Sequence, residues 1–489
     1  MKILYRSAFA LAADIREGRL SSREVVAFFL ERIERLNPAL NAVVALDPEG
    51  ALARAEAADQ AVARGEFWGP LHGVPVTIKD AFCTRGLVST GGDPRRRDAM
   101  PEVTAPAVQR YIDAGAIVLG KTNVPFMSAD LQAYNEIYGA TNNPWNTGRT
   151  SGGSSGGAAA ALAAGLTPLE LGSDIGGSIR TPCHFNGVFG HKTSYGIVPH
   201  GGHIPPGEGV LSEPDLSVVG PLGTCVEDLE RALDLLAGPE GDAASAWRLQ
   251  LPPPSFRDVS QLRVAVWADD GFCPVDREVL RCVELVAGSL QQLGATVDMD
   301  ARPAIDPEAN HHNYTQLMMA VMAPGMPAKV REAAAEAVAA ADPEDMREPL
   351  LQMRGLALGH GEWLRQREIR ERTRAAWARF FEDWDVLICP CAPVAAFPHD
   401  HTPDLQQRRL QVNGGPQPYT NLLRWAGLTL NALLPVTAVP AGLTLDGLPV
   451  GVQVVSRYLG DRTSLAVARL LEGHHRAFVA PPGYAIERS

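Results

Sequence analysis

The stretch that most constrains the fold runs from residue 151 to residue 180, where two glycine-rich segments enclose an alanine-rich one. The first segment reads Ser151-Gly152-Gly153-Ser154-Ser155-Gly156-Gly157, and the second reads Gly172-Ser173-Asp174-Ile175-Gly176-Gly177-Ser178-Ile179-Arg180. Flexible linkers share this composition, but polar or proline-rich sequence usually flanks them. Here the first segment leads into residues 158–164, a strongly helix-forming run that Gly165 can stop. We therefore predict a buried loop and helix with a functional role.

Two serines, Ser154 and Ser178, stand among these glycines. Glycine lacks a Cβ atom, so it allows close approach of the backbone and unusual turns. Consecutive amides in such a turn can direct their N–H groups into one concavity, which suits a developing negative charge. A hydroxyl beside these donors has the parts of an acyl-transfer site. A serine hydroxyl is a weak nucleophile, however, until a base takes its proton.

The candidate base is Lys79, which follows a short apolar strand. Active-site groups in α/β proteins tend to lie beyond such strand ends. A solvated lysine paired with Asp80 is the alternative, but Val76, Ile78 and Phe82 indicate burial. A lysine that is removed from water has a lowered pKa and can act as a neutral base. We therefore predict Ser–Lys chemistry.

A Ser–His–Asp triad is left open by the spacing, because such triads are recognised by geometry. Four histidines lie in the same part of the chain: His72, His184, His191 and His203. We rank this alternative second, since none of them has a comparably distinctive setting. His399 and His401 could ligate a metal, but no third ligand is indicated.

Residues 115–122 match a phosphate-binding pattern, G-x-x-x-x-G-K-T. That motif needs a strand before the first glycine and a flexible loop between the two glycines. Here a helix precedes, and the intervening residues are themselves an apolar strand. We therefore expect no nucleotide site.

Composition excludes several classes of protein. The net charge is −12 without a long run of one sign, which disfavours a nucleic-acid partner. The seven cysteines are irregularly spaced and predict neither a disulfide framework nor a zinc site. Arg6 interrupts the short apolar run of residues 1–13, and no stretch reaches the roughly 20 apolar residues of a membrane span. We expect a soluble, cytoplasmic protein without a membrane partner.

Helical patterns alternate with short apolar strands along most of the chain. This alternation predicts an α/β fold with a large mixed, mostly parallel central sheet covered by helices on both faces. A mainly helical insertion is expected around residues 310–430. Its methionines (Met318, Met319, Met322 and Met326) suit core packing first and an adaptable lining for an apolar substrate second.

Three motifs together resemble the amidase signature family. They are Lys79 after residues 73–78, the segment 151–157 and the segment 172–180. Shorter matches are Gly120-Lys121-Thr122-Asn123, Asn143-Pro144-Trp145, and residues 439–442 with 447–451. The match implies one domain over residues 1–489. Its expected parts are N-terminal helices (1–68), a signature core (69–223), a variable substrate-pocket region (240–430) and a C-terminal return to the core sheet (433–489).

The resemblance implies a Ser–cis-Ser–Lys triad, with Ser178 as nucleophile, Ser154 as bridging serine and Lys79 as base. The bond between Gly153 and Ser154 would then be cis. The implied oxyanion donors are the backbone N–H groups of Ile175, Gly176, Gly177 and Ser178. The implied supporting residues are Ser151, Ser173 and Asp174. Residues 126–133 and the helical insertion would line the pocket, with Met127, Ser128 and Gly153 as candidate substrate contacts.

The implied activity is hydrolysis of a small-molecule carboxylic amide, with esters, anilides and carbamates as candidate side substrates and no metal or organic cofactor. The alternative is the glutamine-hydrolysing subunit of a tRNA-dependent amidotransferase. That role needs an arginine for the glutamine carboxylate, and the candidates are Arg347, Arg354 and Arg365. A binding protein without catalysis is a third interpretation. The sequence leaves the oligomeric state open, a homodimer included.

Overall fold

The computed structural model describes residues 3–485. Within this range the α-helices are α1 Ala8–Arg16, α2 Ser22–Leu40, α3 Pro48–Ala63, α4 Pro106–Asp113, α5 Gly156–Ala163, α6 Arg180–Asn186, α7 Val226–Leu236, α8 Ala243–Ala246, α9 Arg277–Gln292, α10 Pro307–Met322, α11 Ala328–Ala340, α12 Glu348–Leu356, α13 His360–Asp383, α14 Leu422–Leu430 and α15 Asp461–His474. Short 3₁₀ helices lie at Pro94–Arg96, Phe126–Ser128, Val259–Gln261, Ala323–Gly325 and Tyr419–Asn421.

The strands of the same range are β1 Val43–Leu46, β2 Pro75–Lys79, β3 Ile117–Thr122, β4 Tyr134–Asn135, β5 Gly139–Ala140, β6 Asn142–Asn143, β7 Asn146–Thr150, β8 Leu169–Asp174, β9 Phe189–Lys192, β10 Val218–Gly223, β11 Arg263–Val266, β12 Thr296–Asp298, β13 Val386–Pro390, β14 Arg409–Val412, β15 Gly415–Pro418, β16 Val436–Leu443 and β17 Pro449–Ser456. Three small hairpins, β4–β5, β6–β7 and β14–β15, stand apart from the main sheet.

The main sheet has 11 strands in the order β1-β3-β2-β8-β10-β9-β16-β17-β13-β11-β12. Strand β2 pairs in parallel with β3 and β8, and β11 pairs in parallel with β12 and β13. The central strands β10, β9, β16 and β17 pair antiparallel with their neighbours, as does β1 with β3. The predicted large mixed sheet is confirmed, with its parallel pairs in two groups.

Both faces of this sheet are covered by helices, as predicted. Every residue of β2, β8, β10 and β17 is buried. Because successive side chains of a strand point to opposite faces, burial of all of them requires cover on both. The helix α5 packs against β8 and α6, whereas α15 packs against β16 and β17.

The alanine-rich stretch forms a helix for the expected local reasons. All eight residues of α5 are buried, since small side chains allow close packing on every face. Gly165 follows in the left-handed region at φ 67°, which confirms the predicted stop.

The helical insertion is also confirmed. Helices α10 to α13 follow one another between residues 307 and 383, and α14 follows the β14–β15 hairpin. The strand β13 interrupts this helical region and joins the central sheet beside β17 and β11. No helix in residues 3–485 is both long and apolar enough to cross a membrane.

Candidate active site

The parallel strands β2 and β8 end at the same edge of the sheet, and their last residues bring the predicted lysine to the serines. Lys79 closes β2, while Ser173 and Asp174 close β8. The fully buried Lys79 Nζ lies 2.6 Å from Ser154 Oγ and 2.9 Å from Ser173 Oγ. The predicted lysine–serine contact is therefore present in the structure.

The electrostatic setting of Lys79 favours an uncharged amine. Burial lowers the pKa of Lys79 to about 7, although the carboxylates of Asp174 and Glu170 act in the opposite direction. Removal from water disfavours the ammonium form because a protein interior solvates charge poorly. A large fraction of the amine is thus neutral near neutral pH.

Ser154 reaches the lysine through a tightly packed loop. The peptide bond between Gly153 and Ser154 is cis. A Cβ atom on Gly153 would lie 2.5 Å from the backbone nitrogen of Gln132, so only glycine fits there. Two residues after Ser154, helix α5 begins at Gly156. The loop is therefore fixed between the backbone of residues 130–132 and a buried helix.

The second segment is held by the carboxylate of Asp174. Its Oδ1 accepts from the N–H of Gly177 at 2.8 Å, and its Oδ2 accepts from the N–H of Ile179 at 3.0 Å. The buried Arg180 donates to both oxygens, from Nη2 at 2.9 Å and from Nε at 3.0 Å. Burial alone would raise the pKa of Asp174, but Arg180 and the N–H donors lower it to about 2. Asp174 is therefore an ionised clamp for residues 177–180.

Ser178 lies next to the first segment with its hydroxyl unengaged. The carbonyl of Ser178 accepts from the N–H of Ser155 at 3.1 Å, which ties the two segments together. Ser178 is 5% exposed. Its hydroxyl makes no hydrogen bond with any described residue, Ser154 included. The structure therefore contains the lysine–serine contact but, within residues 3–485, no hydrogen bond between the two serines.

The four predicted oxyanion donors differ in whether their N–H groups already have a hydrogen-bond acceptor. The N–H of Gly177 donates to Asp174. The N–H groups of Gly176 and Ser178 find no acceptor within residues 3–485. The carbonyl of Ile175 accepts from the Tyr314 hydroxyl at 2.8 Å, which fixes the orientation of the peptide between residues 175 and 176.

The predicted supporting residues fall into two groups. Ser173 contacts the lysine directly, and Asp174 holds the second segment. The Ser151 side chain forms no hydrogen bond with Lys79 or with residues 172–180 in the described structure. Its hydroxyl donates to the carbonyl of Thr141 at 3.4 Å, so it braces the first segment from outside.

Of the predicted substrate contacts, Gly153 belongs to the loop itself, and Met127 and Ser128 shortly precede the residues on which Gly153 packs. Met127 and Ser128 are half-buried, with φ values of 52° and 57° in the left-handed region. The N–H of Met127 donates to the carbonyl of Gly91 at 2.7 Å. Neither residue hydrogen-bonds to the triad residues in the described structure. The connection to the site is through Gly153, which packs on residues 130–132.

The histidine alternative finds no support in the geometry. His184 contacts the backbone of Gly451 and Val394, and His191 contacts Thr437 and Asp461. His72 contacts the backbone of Trp68 and Ala58. In the described part of the chain no histidine hydrogen-bonds to Ser154 or Ser178. Residues 3–485 also contain no group of three or more His, Cys, Asp or Glu placed to hold a metal ion.

The sequence places His203 only among four candidate histidines, and its contact with Ser173 is what sequence reasoning misses. The Nε2 atom of His203 lies 2.8 Å from Ser173 Oγ, and Ser173 Oγ in turn contacts Lys79. Glycines 201 and 202 and prolines 205 and 206 flank it, which indicates a constrained backbone. Nothing in that pattern names Ser173 as its partner.

The residues of the phosphate-binding pattern form no loop. Gly120, Lys121 and Thr122 belong to β3, and the Lys121 side chain is buried. Its Nζ donates to the carbonyl of Phe82 and, at 3.1 Å, to Thr84 Oγ1. The apolar strand predicted inside this pattern is confirmed as β3.

Comparison with known proteins identifies the family. The family model described as Amidase matches residues 24–465. Fatty-acid amide hydrolase 2-B of Danio rerio is 34% identical, over 98% of this chain and 91% of that protein. A glutamyl-tRNA(Gln) amidotransferase subunit from Synechococcus sp. (strain CC9605) is 31% identical, over 97% of each chain. The solved structure of a bacterial aryl acylamidase of the amidase signature enzymes superposes with a TM-score of 0.80 at 25% identity, over 96% of each chain. This chain therefore belongs to the amidase family.

Proposed function

We propose that this protein hydrolyses carboxylic amides through an acyl-enzyme on Ser178, with Ser154 and Lys79 as the proton relay. The observation that carries the proposal is the 2.6 Å contact between Lys79 Nζ and Ser154 Oγ, made by a fully buried amine. A neutral amine in that place can take a proton from a hydroxyl, as Ser178 requires to become nucleophilic.

The first half of the reaction transfers the acyl group to the enzyme. Ser178 Oγ attacks the amide carbon while its proton passes to Ser154, and the Ser154 proton passes to Lys79. For this step the substrate or a small movement of Ser178 brings the two serine hydroxyls within hydrogen-bond distance. The C–N bond then breaks, Ser154 gives a proton to the leaving amine, and Lys79 returns its proton to Ser154.

The second half releases the acid. Water attacks the acyl ester and gives a proton to Ser154, whose own proton passes to Lys79. As the ester bond breaks, Ser154 gives a proton to Ser178 Oγ and takes one back from Lys79. The negative oxygen of each tetrahedral intermediate would be held by the N–H groups of Gly176 and Ser178, which have no other acceptor in the described structure. Ile175 and Gly177 complete the proposed set, with Gly177 shared with Asp174.

The amidotransferase alternative gains no support from the three candidate arginines. Arg347 pairs with Asp345, and Arg365 pairs with Glu362, both at the surface. Arg354 donates to the carbonyls of Asp342 and Pro343. Since each guanidinium is engaged away from Ser178, we favour a stand-alone amidase that acts on small-molecule amides.

The test is labelling with a fluorophosphonate probe combined with hydrolysis of a small panel of aryl amides. We expect one label, on the peptide that contains Ser178, and loss of both label and activity in Ser178→Ala. The loss of activity should be about 10³-fold or more, as for other serine nucleophiles. A Ser178→Ala protein with unchanged activity would refute the proposal.

A matched pair of serines tests the relay. Ser154→Ala should lower kcat/KM by about 10²–10⁴-fold, the usual contribution of general acid–base catalysis. The hydroxyl of its neighbour Ser155 donates only a long hydrogen bond, 3.4 Å to the carbonyl of Ser173, and the Ser155 N–H is kept in alanine, so Ser155→Ala should change kcat/KM by only severalfold. Equal effects of the two substitutions would argue against a specific role for Ser154.

A further inference from the structure

The backbone of His203 is fixed to the segment that follows Lys79. His203 forms an isolated β-bridge with Phe82. On either side of it, the N–H of Cys83 donates to the carbonyl of Gly202 at 2.8 Å, and the N–H of Ile204 donates to the carbonyl of Ala81 at 2.7 Å. The His203 ring is thereby held at a set position relative to the end of β2.

The ring of His203 has one possible arrangement of its proton when neutral. Its Nδ1 lies 2.9 Å from the carbonyl oxygen of Pro205. A carbonyl can only accept, so Nδ1 must carry the hydrogen and Nε2 must be the acceptor. The hydrogen bond of 2.8 Å at Nε2 is therefore donated by the hydroxyl of Ser173.

This arrangement decides what Ser173 can offer to Lys79. Because the single Ser173 hydroxyl proton is used on His203, Ser173 Oγ can only accept from Lys79 Nζ, which lies 2.9 Å away. A neutral amine has two N–H groups and one lone pair. One N–H is directed at Ser173 Oγ, and the Ser173 carbonyl, 3.4 Å away, is within reach of the other. The lone pair is then left for Ser154.

We propose that His203 is a positioning residue that keeps the lone pair of Lys79 directed at Ser154 by holding the hydroxyl proton of Ser173. This inference rests on the proposed function of Lys79 as base. Without an acceptor at His203, the Ser173 hydroxyl can rotate and donate to the Lys79 lone pair. Ser173 would then compete with Ser154 for the base.

The surroundings of His203 keep its ring neutral. Burial lowers the pKa of His203 well below its ordinary value, and the neighbouring His200, Lys79 and Lys121 act in the same direction. The ring of Phe82 covers it edge-on at 5.1 Å, and that of His200 lies at 4.5 Å. The acceptor role of Nε2 therefore persists over the pH range in which Lys79 loses its proton. Over the same range Lys79 faces the carboxylate of Asp174 and the carboxyl of Glu170, whose own pKa is raised by burial to about 7.

Two amide substitutions of different length separate the two hydrogen bonds of the ring. His203→Asn can still donate to Pro205 but is too short to accept from Ser173. His203→Gln places an oxygen near the former Nε2. We expect kcat/KM on an aryl amide to fall about tenfold in His203→Asn, the effect of one misdirected hydrogen bond, and to stay within about threefold in His203→Gln.

Two further readouts distinguish positioning from loss of structure. In His203→Asn the acid limb of the kcat/KM profile should move to lower pH, because a hydrogen bond from Ser173 stabilises the neutral form of Lys79. Adding Ser173→Ala to His203→Asn should restore part of the lost activity, since the competing donor is gone. If the His203→Asn protein does not fold, His203→Leu takes its place in this comparison.

The outcomes separate this inference from the function on which it rests. An unmoved acid limb would overturn the role of His203. The role of His203 would also be overturned if Ser173→Ala lowered activity equally in the parent protein and in the His203→Asn or His203→Leu protein. Ser178→Ala is measured in parallel, and activity that survives in Ser178→Ala would instead overturn the proposed function itself.

Discussion

At the scale of single residues, the central feature is Lys79, which can act as the proposed base only in its uncharged form. Lys79 is fully buried at the end of β2, and its pKa is lowered to about 7. An ordinary lysine titrates near pH 10.4 and would be almost wholly protonated in neutral solution. Burial therefore accounts for most of the lowering of the Lys79 pKa, which provides the neutral amine that the proposed mechanism requires.

The pH dependence of kcat/KM tests this feature. Because the neutral amine is the active form, kcat/KM should rise about tenfold per pH unit below pH 7 and level off above about pH 8. Lys79→Arg places a group that stays protonated at every accessible pH, so it should be nearly inactive throughout. Lys79→Met should be equally inactive. A profile centred near pH 10, or activity in Lys79→Arg, would contradict a neutral lysine base.

At the scale of elements, one carboxylate joins the end of β8 to the start of α6. Asp174 accepts from the N–H groups of Gly177 and Ile179 and pairs with Arg180. Arg180 also donates to Thr429 on α14 at 2.9 Å and to Gln453 on β17 at 2.6 Å. The segment that carries Ser178 is thus tied to a helix and a strand from the second half of the chain.

Breaking this pair should cost far more stability than breaking a surface pair. Arg180→Met leaves the Asp174 carboxylate without its cation, and removing one partner of a buried pair typically costs about 3–5 kcal/mol. The control is Arg365→Met, because Arg365 pairs with Glu362 at 72% side-chain exposure. Exposed pairs contribute less than about 1 kcal/mol. Urea unfolding of both proteins measures the difference, and similar losses would show that Asp174 is not buried as described.

The local elements around the site are predictable from sequence, whereas its long-range contacts are not. The strand expected before Lys79 is β2, and the alanine-rich run is α5, because apolar patterning and helix propensity act over a few residues. The burial of Lys79 and the glycine-flanked serines predict Ser–Lys chemistry, but the pairing of Lys79 with Ser154 is predictable only through motif resemblance. The bond between His203 and Ser173 joins residues 30 positions apart, and its existence depends on the path of the intervening loop. The engagement of the Gly177 N–H by Asp174 likewise depends on side-chain orientation, which composition does not specify.

At the scale of the whole molecule, the site lies where the glycine-rich segments 151–157 and 172–180 meet the helical insertion. An apolar cluster formed by Leu216, Tyr314, Leu317, Met318, Leu430 and Leu433 packs against Ile175 and Leu423. A Cβ atom on Gly176 would lie 2.9 Å from Leu423 and 4.0 Å from the sulfur of Met318. The Tyr314 hydroxyl, 3.6 Å from the same Cβ position, is the one polar group among these neighbours. Mainly apolar surroundings of the proposed oxyanion donors suit an aliphatic or aromatic acyl group better than the charged end of glutamine.

Substrate preference follows from that apolar surface. Among p-nitroanilides of increasing acyl length, kcat/KM should rise up to about fourfold per added methylene while the chain stays buried, since each methylene contributes about 0.8 kcal/mol. Met318→Gln keeps the length of the side chain but makes it polar. It should lower the octanoyl-to-acetyl ratio of kcat/KM about tenfold and leave acetyl hydrolysis nearly unchanged. Met353→Gln is the matched control, because Met353 is 37% exposed on α12 and outside the cluster. Equal rates on acetyl and octanoyl substrates, or preferred hydrolysis of glutamine, would place the acyl group away from this cluster.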